Sequence, residues 1–78
     1  IPDWEEDTKY KHIKRRFKFQ DFKEALAFVN KVGEMAEAEA HHPDIHILYN
    51  RVELVLTTHA TGGLSENDFI LAAKIDEL

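Results

Sequence analysis

Apolar and polar residues alternate in the first quarter of the chain. The segment from Tyr10 to Phe19 keeps a period of two, and Ile13, Phe17 and Phe19 stand at alternate positions among basic residues. Successive side chains of a strand point to opposite faces of a sheet. The spacing therefore predicts a strand with these three apolar residues turned inward.

The period changes to three or four residues after Asp21, which is typical of a helix with one apolar face. Good helix formers occupy the positions between the apolar ones. The pattern predicts a long helix whose apolar positions are Phe22, Ala25, Leu26, Phe28, Val29, Val32, Met35 and Ala36.

Two further alternating runs lie close together and predict a hairpin of antiparallel strands. A polar pair, Asn50-Arg51, separates them and predicts a tight turn. The alternating apolar residues are Ile45, Ile47 and Tyr49, then Val52, Leu54 and Leu56.

A second helix is predicted after the glycine pair Gly62-Gly63, which interrupts regular secondary structure. Ser65 and Asp68 have the spacing of a capping box, which satisfies free N–H groups at a helix start. The predicted buried face consists of Leu64, Phe69, Leu71, Ala72, Ile75 and Leu78. The order strand, helix, hairpin, helix predicts an α+β fold, a small antiparallel sheet with helices packed on one face.

The composition limits the classes of function. A chain of 78 residues with 44% apolar content buries only about 60% of its unfolded surface, so we predict one domain over residues 1–78 that gains stability by self-association. The chain has no cysteine, which excludes disulfides and thiolate chemistry. A net charge of −5 argues against direct nucleic-acid binding, despite a basic run from Lys9 to Lys18. No apolar stretch approaches the roughly 20 residues that span a bilayer, so we predict no membrane association.

Candidate chemistry concentrates in the histidines. His41-His42-Pro43 and Thr58-His59 surround the predicted hairpin, and imidazole both gives and takes a proton near neutral pH. Pro43 holds its predecessor in an extended conformation, so the histidine pair stands at the end of the first helix. Glu37 lies one helical turn earlier, where it can meet an imidazole. We expect the other two histidines, His12 and His46, to be ordinary surface residues.

The spacing of these residues disfavours several chemistries. Adjacent histidines seldom converge on one ion, and neither a helical H-x-x-x-H pair nor a cysteine pair is present, so we predict no metal site. No nucleophile elbow and no glycine-rich phosphate loop occurs. General acid–base catalysis without a cofactor remains. Asp68 is explained at this stage as a helix-capping residue.

The same residues resemble the pterin-4a-carbinolamine dehydratase family over nearly the whole chain. Ala40 departs from the family pattern, because an acidic residue often precedes the paired histidines. The matching segments are Phe17-x-Phe19-x-Asp21-Phe22, Glu37-x-x-x-His41-His42-Pro43, Tyr49-Asn50-x-Val52, Thr58-His59, Gly63-Leu64-Ser65, Asp68 and Trp4.

The resemblance implies a four-stranded antiparallel sheet and dehydration of a 4a-hydroxytetrahydropterin, the adduct that aromatic amino acid hydroxylases leave, without a cofactor. For this reaction our hypothesis is that His42 and His59 act as acid and base while His41 positions the hydroxyl. Substrate-binding roles are implied for Glu37, which would orient a histidine or hold it protonated, and for Pro43, Trp4 and Asp68.

The resemblance also implies a homodimer or homotetramer in the cytoplasm, and in the nucleus as well in a eukaryote. Some relatives act as dimerisation partners of a transcription factor. A protein-interaction module is therefore the alternative function.

Overall fold

The computed structural model describes residues 3–7, 9, 11–57 and 66–78. Four strands form one antiparallel sheet in the order β1-β2-β4-β3, accompanied by two helices. This arrangement confirms the predicted α+β fold. The elements are β1 (Glu5–Asp7), β2 (His12–Lys18), α1 (Phe22–Glu39), β3 (Asp44–Leu48), β4 (Arg51–Leu56) and α2 (Glu66–Asp76).

The core lies between one face of the sheet and the two helices. Residues of β2 and β4 alternate as predicted, with Ile13 buried, while Phe17 and Phe19 pack against the core. The rings of Phe17 and Phe19 both contact Phe28 of α1, with centroids 4.7 and 5.0 Å away. The buried residues of the cluster are Trp4, Ile13, Ala25, Val32, Val52, Leu54, Leu56, Leu71, Ala72 and Ile75.

Helix α1 begins where the sequence predicts. The Asp21 carboxylate accepts a hydrogen bond from the backbone N–H of Glu24 at 2.9 Å, and the Glu24 carboxylate accepts one from the N–H of Gln20 at 3.2 Å. Two otherwise free N–H groups are satisfied in this way. Of the predicted apolar face, Phe22 and Leu26 are exposed rather than buried.

The predicted turn at Asn50-Arg51 is wrong by one residue. Leu48 pairs with Arg51, so the two-residue loop is Tyr49-Asn50, and Tyr49 has a positive φ of 54°. Two-residue hairpin loops favour a positive φ because it matches the twist of the strands. Asn50 also bonds to Phe19 twice, through its side-chain amide at 3.0 Å and its carbonyl at 2.8 Å. These bonds join the turn to the residue that follows β2.

The predicted face of α2 is correct only in part. Leu71, Ala72 and Ile75 are buried as predicted, but Phe69 and Leu78 are exposed. The buried positions follow the helical spacing 68, 71, 72 and 75, which includes Asp68 in place of Phe69. Leu64 and Ser65, and with them the predicted capping box, lie outside the described residues.

Strand β1 has no apolar alternation and was not predicted from periodicity. Its acidic residues face basic β2, with Glu5 opposite Lys14 and Asp7 opposite His12, and opposite charges across strands are stabilising. Among the described helices, none is long and apolar enough to cross a bilayer.

Candidate functional site

The end of α1 determines where the paired histidines lie. Ala40 takes the left-handed conformation, with φ 52° and ψ 36°. The N–H of His41 donates to the carbonyl of Ala36 at 3.1 Å, and the N–H of Ala40 donates to the carbonyl of Glu37 at 3.2 Å. This pair of bonds is a Schellman motif, which turns the chain sharply out of the helix. His41 and His42 therefore follow the helix directly, in a backbone held by hydrogen bonds.

Replacing Ala40 by glycine is expected to stabilise the protein by about 0.5–1 kcal/mol. A side chain at a left-handed position costs roughly 1–2 kcal/mol, and the greater freedom of glycine in the unfolded chain offsets part of the gain. Urea unfolding measures the difference. The matched control is Ala38→Gly, two residues earlier inside the helix, which should destabilise by about 1 kcal/mol. Equal destabilisation by both variants would contradict the geometry of Ala40.

His41 contacts a buried carboxylate from the other helix. Its Nε2 atom lies 2.5 Å from Oδ1 of Asp68, whose side chain is fully buried, while the His41 side chain is 15% exposed. A buried carboxylate requires hydrogen bonds to offset its lost hydration. The contact holds the His41 ring in one orientation and joins α1 to α2.

His42 contacts a different carboxylate at the surface. Its Nε2 atom lies 2.8 Å from Oε2 of Glu37, and the side chains are 62% and 79% exposed. The two residues are five apart, and the Schellman turn brings them together. Adjacent histidines thus have separate carboxylate partners, one buried and one in solvent. An oriented imidazole with one solvent-facing edge can exchange protons with a small molecule.

The remaining predicted residues are placed as follows. His59 lies outside the described residues. Pro43 is half-buried just before β3. Trp4 is buried in the core, and its indole N–H donates to Oδ1 of Asp76 at 2.9 Å. These contacts give Trp4 a structural role in the core. Its contact with substrate remains a prediction. His12 is half-buried in β2, and His46 is exposed on β3.

A cleft of about 30 Å³ borders His41 on the side of α2. Its lining includes Glu39, Asn67 and Leu71. That volume is sufficient to hold a water molecule. The described residues contain no group of three His, Asp, Glu or Cys side chains arranged to hold a metal ion.

Two interhelical contacts were not foreseen from the sequence. The first joins His41 to Asp68, which the sequence had suggested as a helix cap. The second is an ion pair between Glu39 at the end of α1 and Lys74 of α2. The last turn of α1 contains no basic residue. Lys74 of α2 supplies the positive charge there. The spacing of acidic residues at a helix C-terminus was the available signal, because cations are favoured there.

Comparison with known proteins identifies the family. The profile described as Pterin 4 alpha carbinolamine dehydratase matches residues 1–78. The chain belongs to this family. A protein of Halorhodospira halophila with the provisional name pterin-4-alpha-carbinolamine dehydratase is 56% identical over all of this chain and 72% of its own length. A relative from Thermomicrobium roseum with the same provisional name is 53% identical over all of this chain and 82% of its own length.

Two solved structures share the fold. A transcriptional coactivator/pterin dehydratase from Brucella melitensis is 35% identical, with a TM-score of 0.92 over 99% of this chain and 82% of that protein. A pterin dehydratase-like protein described as a RuBisCO assembly factor in the alpha-carboxysome is 25% identical, with a TM-score of 0.81 over 96% of this chain and 87% of that protein. The fold therefore occurs in proteins described by different roles.

Proposed function

We propose that the protein dehydrates a 4a-hydroxytetrahydropterin to the quinonoid dihydropterin. The observation that carries the proposal is the histidine pair, in which His41 and His42 each contact a separate carboxylate. Membership of the family supports the same reaction. The product returns to the pterin pool used by aromatic amino acid hydroxylases, and we propose that the reaction takes place in the cytoplasm.

The reaction requires two proton transfers and no change of oxidation state. The bond between C4a and the hydroxyl oxygen breaks, and a proton added to that oxygen lets it leave as water. The neighbouring ring nitrogen loses its proton, and the electron pair forms the carbon–nitrogen double bond. General acid–base catalysis supplies both transfers. The balance needs no oxidant, so we propose that the protein uses no cofactor.

We assign the proton transfers to His42 and His59. His42 is the exposed member of the pair, and its bond to Glu37 leaves the rest of the ring accessible. The contact with the Glu37 carboxylate holds the ring in one orientation. His41 is held by Asp68 with little exposure, which suits positioning of the hydroxyl. The cleft beside His41 offers room for the departing water. Pro43 and Trp4 are proposed to shape the pocket.

The direct test is the dehydration rate of a 4a-hydroxytetrahydropterin, produced during the assay by a hydroxylase. The protein should raise the rate well above the uncatalysed one. Buffer alone and heat-inactivated protein are the controls. No acceleration by folded protein would reject the dehydratase proposal.

Dehydration is expected to continue unchanged after treatment with excess EDTA. Imidazole acid–base catalysis needs no Lewis acid, and the proposed groups contain no arrangement typical of zinc ligands. The rate before and after chelation measures this. A loss of activity that zinc restores would overturn the mechanism.

A protein-interaction module is the second candidate function. The names of the two structural relatives include a coactivator and an assembly factor, and Phe69, Ile70 and Leu78 of this chain are exposed near the C-terminus. A contiguous patch of exposed apolar side chains is typical of an interaction site. We also propose self-association into a dimer or tetramer, which light scattering after gel filtration measures. A Phe69→Ser variant that loses a partner complex but keeps its oligomeric state and dehydration rate would favour the interaction role.

A further inference from the structure

The face of the sheet opposite the helices carries a groove of about 480 Å³. It shares no lining residue with the cleft beside His41. Its volume falls in the range of about 300–1,000 Å³ that is typical of small-molecule sites. The side chains considered below are Arg16, Lys18, Leu48, Arg51 and Glu53. We name this region the outer groove.

The charges in the outer groove are unbalanced. Arg16 and Glu53 are opposite each other in β2 and β4, and Nε of Arg16 donates to Oε2 of Glu53 at 2.8 Å. The next outward row places Lys18 directly opposite Arg51. Like charges opposite each other on neighbouring strands are destabilising. Within the described ranges, no carboxylate forms an ion pair with either of these two cations.

An apolar side chain completes the same row. Leu48 of β3 lies opposite Arg51 and is 72% exposed. The row therefore reads Lys18, Arg51, Leu48 across three strands, two cations followed by an aliphatic group. A protein with a net charge of −5 has many carboxylates, yet none of them balances this row in the described part of the chain. Two cations beside an exposed aliphatic group are complementary to an anion joined to an apolar group.

We propose that the outer groove binds a small organic anion, with its phosphate or carboxylate on Lys18 and Arg51 and its apolar part against Leu48. The planar guanidinium of Arg51 suits bidentate binding of such an oxyanion. The ligand removes the repulsion between the two cations. This proposal uses no histidine of the dehydratase site and is independent of the proposed reaction.

A small anion fits these observations better than a polyanion does. Among the described residues that line the outer groove, three are lysine or arginine, and one of these, Arg16, is already paired with Glu53. The protein as a whole carries a net charge of −5, which disfavours binding of an extended chain of phosphates. The concave shape and limited volume also favour a compact ligand.

Phenyl phosphate is the first probe, because it joins an oxyanion to an aromatic ring. Its titration into ¹⁵N-labelled protein should shift the amide signals of residues 16–18 and 48–53, with a Kd on the order of 1 mM. Inorganic phosphate should shift the same signals more weakly, and phenol should shift few of them. No shift in these segments of the wild-type protein would overturn the proposal.

Variants separate the two halves of the proposed site. The double variant Lys18→Gln/Arg51→Gln should weaken phenyl phosphate binding at least about tenfold. Leu48→Ser should weaken binding of phenyl phosphate but not of inorganic phosphate. The control Lys23→Gln removes an exposed cation from α1 and should bind like the wild type. Equal weakening by Lys23→Gln would show a general charge effect and reject the site.

Two more measurements test whether the outer groove binds a protein instead and whether it depends on the dehydratase site. An acidic peptide that shifts the same signals while phenyl phosphate does not would make the outer groove a protein-binding surface and overturn the small-ligand proposal. The dehydration rate of the double variant should equal that of the wild type. Loss of phenyl phosphate binding with dehydration intact supports two independent sites, whereas failure of both would reject their independence.

Discussion

Replacing His42 by alanine is expected to lower the dehydration rate by about 10²–10⁴-fold, which is the usual contribution of a positioned acid or base. His42 contacts Glu37 at the surface, so its removal leaves no buried group unpaired and should preserve the fold. The same range is expected for His59→Ala. A loss confined to turnover would identify a proton carrier rather than a packing residue.

The measurement is the rate at saturating pterin, with circular dichroism to verify folding. His12→Ala is the matched control, because His12 lies in β2 outside the proposed site, and its rate should stay near that of the wild type. Glu37→Gln keeps a hydrogen-bonding side chain without the charge and should reduce the rate less than His42→Ala. A loss of tenfold or less in His42→Ala would restrict this residue to substrate binding.

Asp68→Ala is expected to lower the free energy of unfolding by about 1.5–3 kcal/mol, the range for hydrogen bonds to charged groups. The Asp68 carboxylate is fully buried and contacts Nε2 of His41 at 2.5 Å. Its removal also frees the His41 ring, so the dehydration rate should fall together with stability. Asp68→Asn retains a polar group of the same shape and should lie between Asp68→Ala and the wild type.

Urea unfolding of these variants measures the stability change. Glu66→Gln is the control, an exposed carboxylate in the same first turn of α2, and should change stability by no more than about 0.5 kcal/mol. A helix cap and a pair with His41 make different predictions in a double-mutant cycle. Combining His41→Ala with Asp68→Ala should give a coupling energy of about 0.5–3 kcal/mol. Strict additivity would favour the capping explanation and contradict the pair.

Elements formed by short-range interactions could be predicted from the sequence. The alternation of Ile13 and Phe17 with basic residues indicated which side chains of β2 face the core, because successive side chains of a strand necessarily face opposite sides. The start of α1 at Asp21 was predictable because the cap involves only neighbouring residues. The positions of His41 and His42 after this helix follow from the same local rules. The family could be predicted as well, since its characteristic residues are spread along the chain.

Interactions between distant residues were decided by the tertiary structure. Asp68 pairs with His41 across 27 positions of sequence, and the Trp4 indole bonds to Asp76 across 72 positions. Strand β1 carries no alternation, and its place in the sheet is defined by its pairing with β2.

The hairpin turn shows the same limit, because the register of β3 and β4 places it one residue earlier than the local pattern indicated, and Asn50 bonds to the distant Phe19. The unbalanced row of Lys18, Arg51 and Leu48 arises only from strand register. The strands with apolar alternation, the helices and the candidate histidines could therefore be predicted from local patterns in the chain. The tertiary structure determined their partners, because hydrophobic periodicity records which face is buried and not which distant residue lies against it.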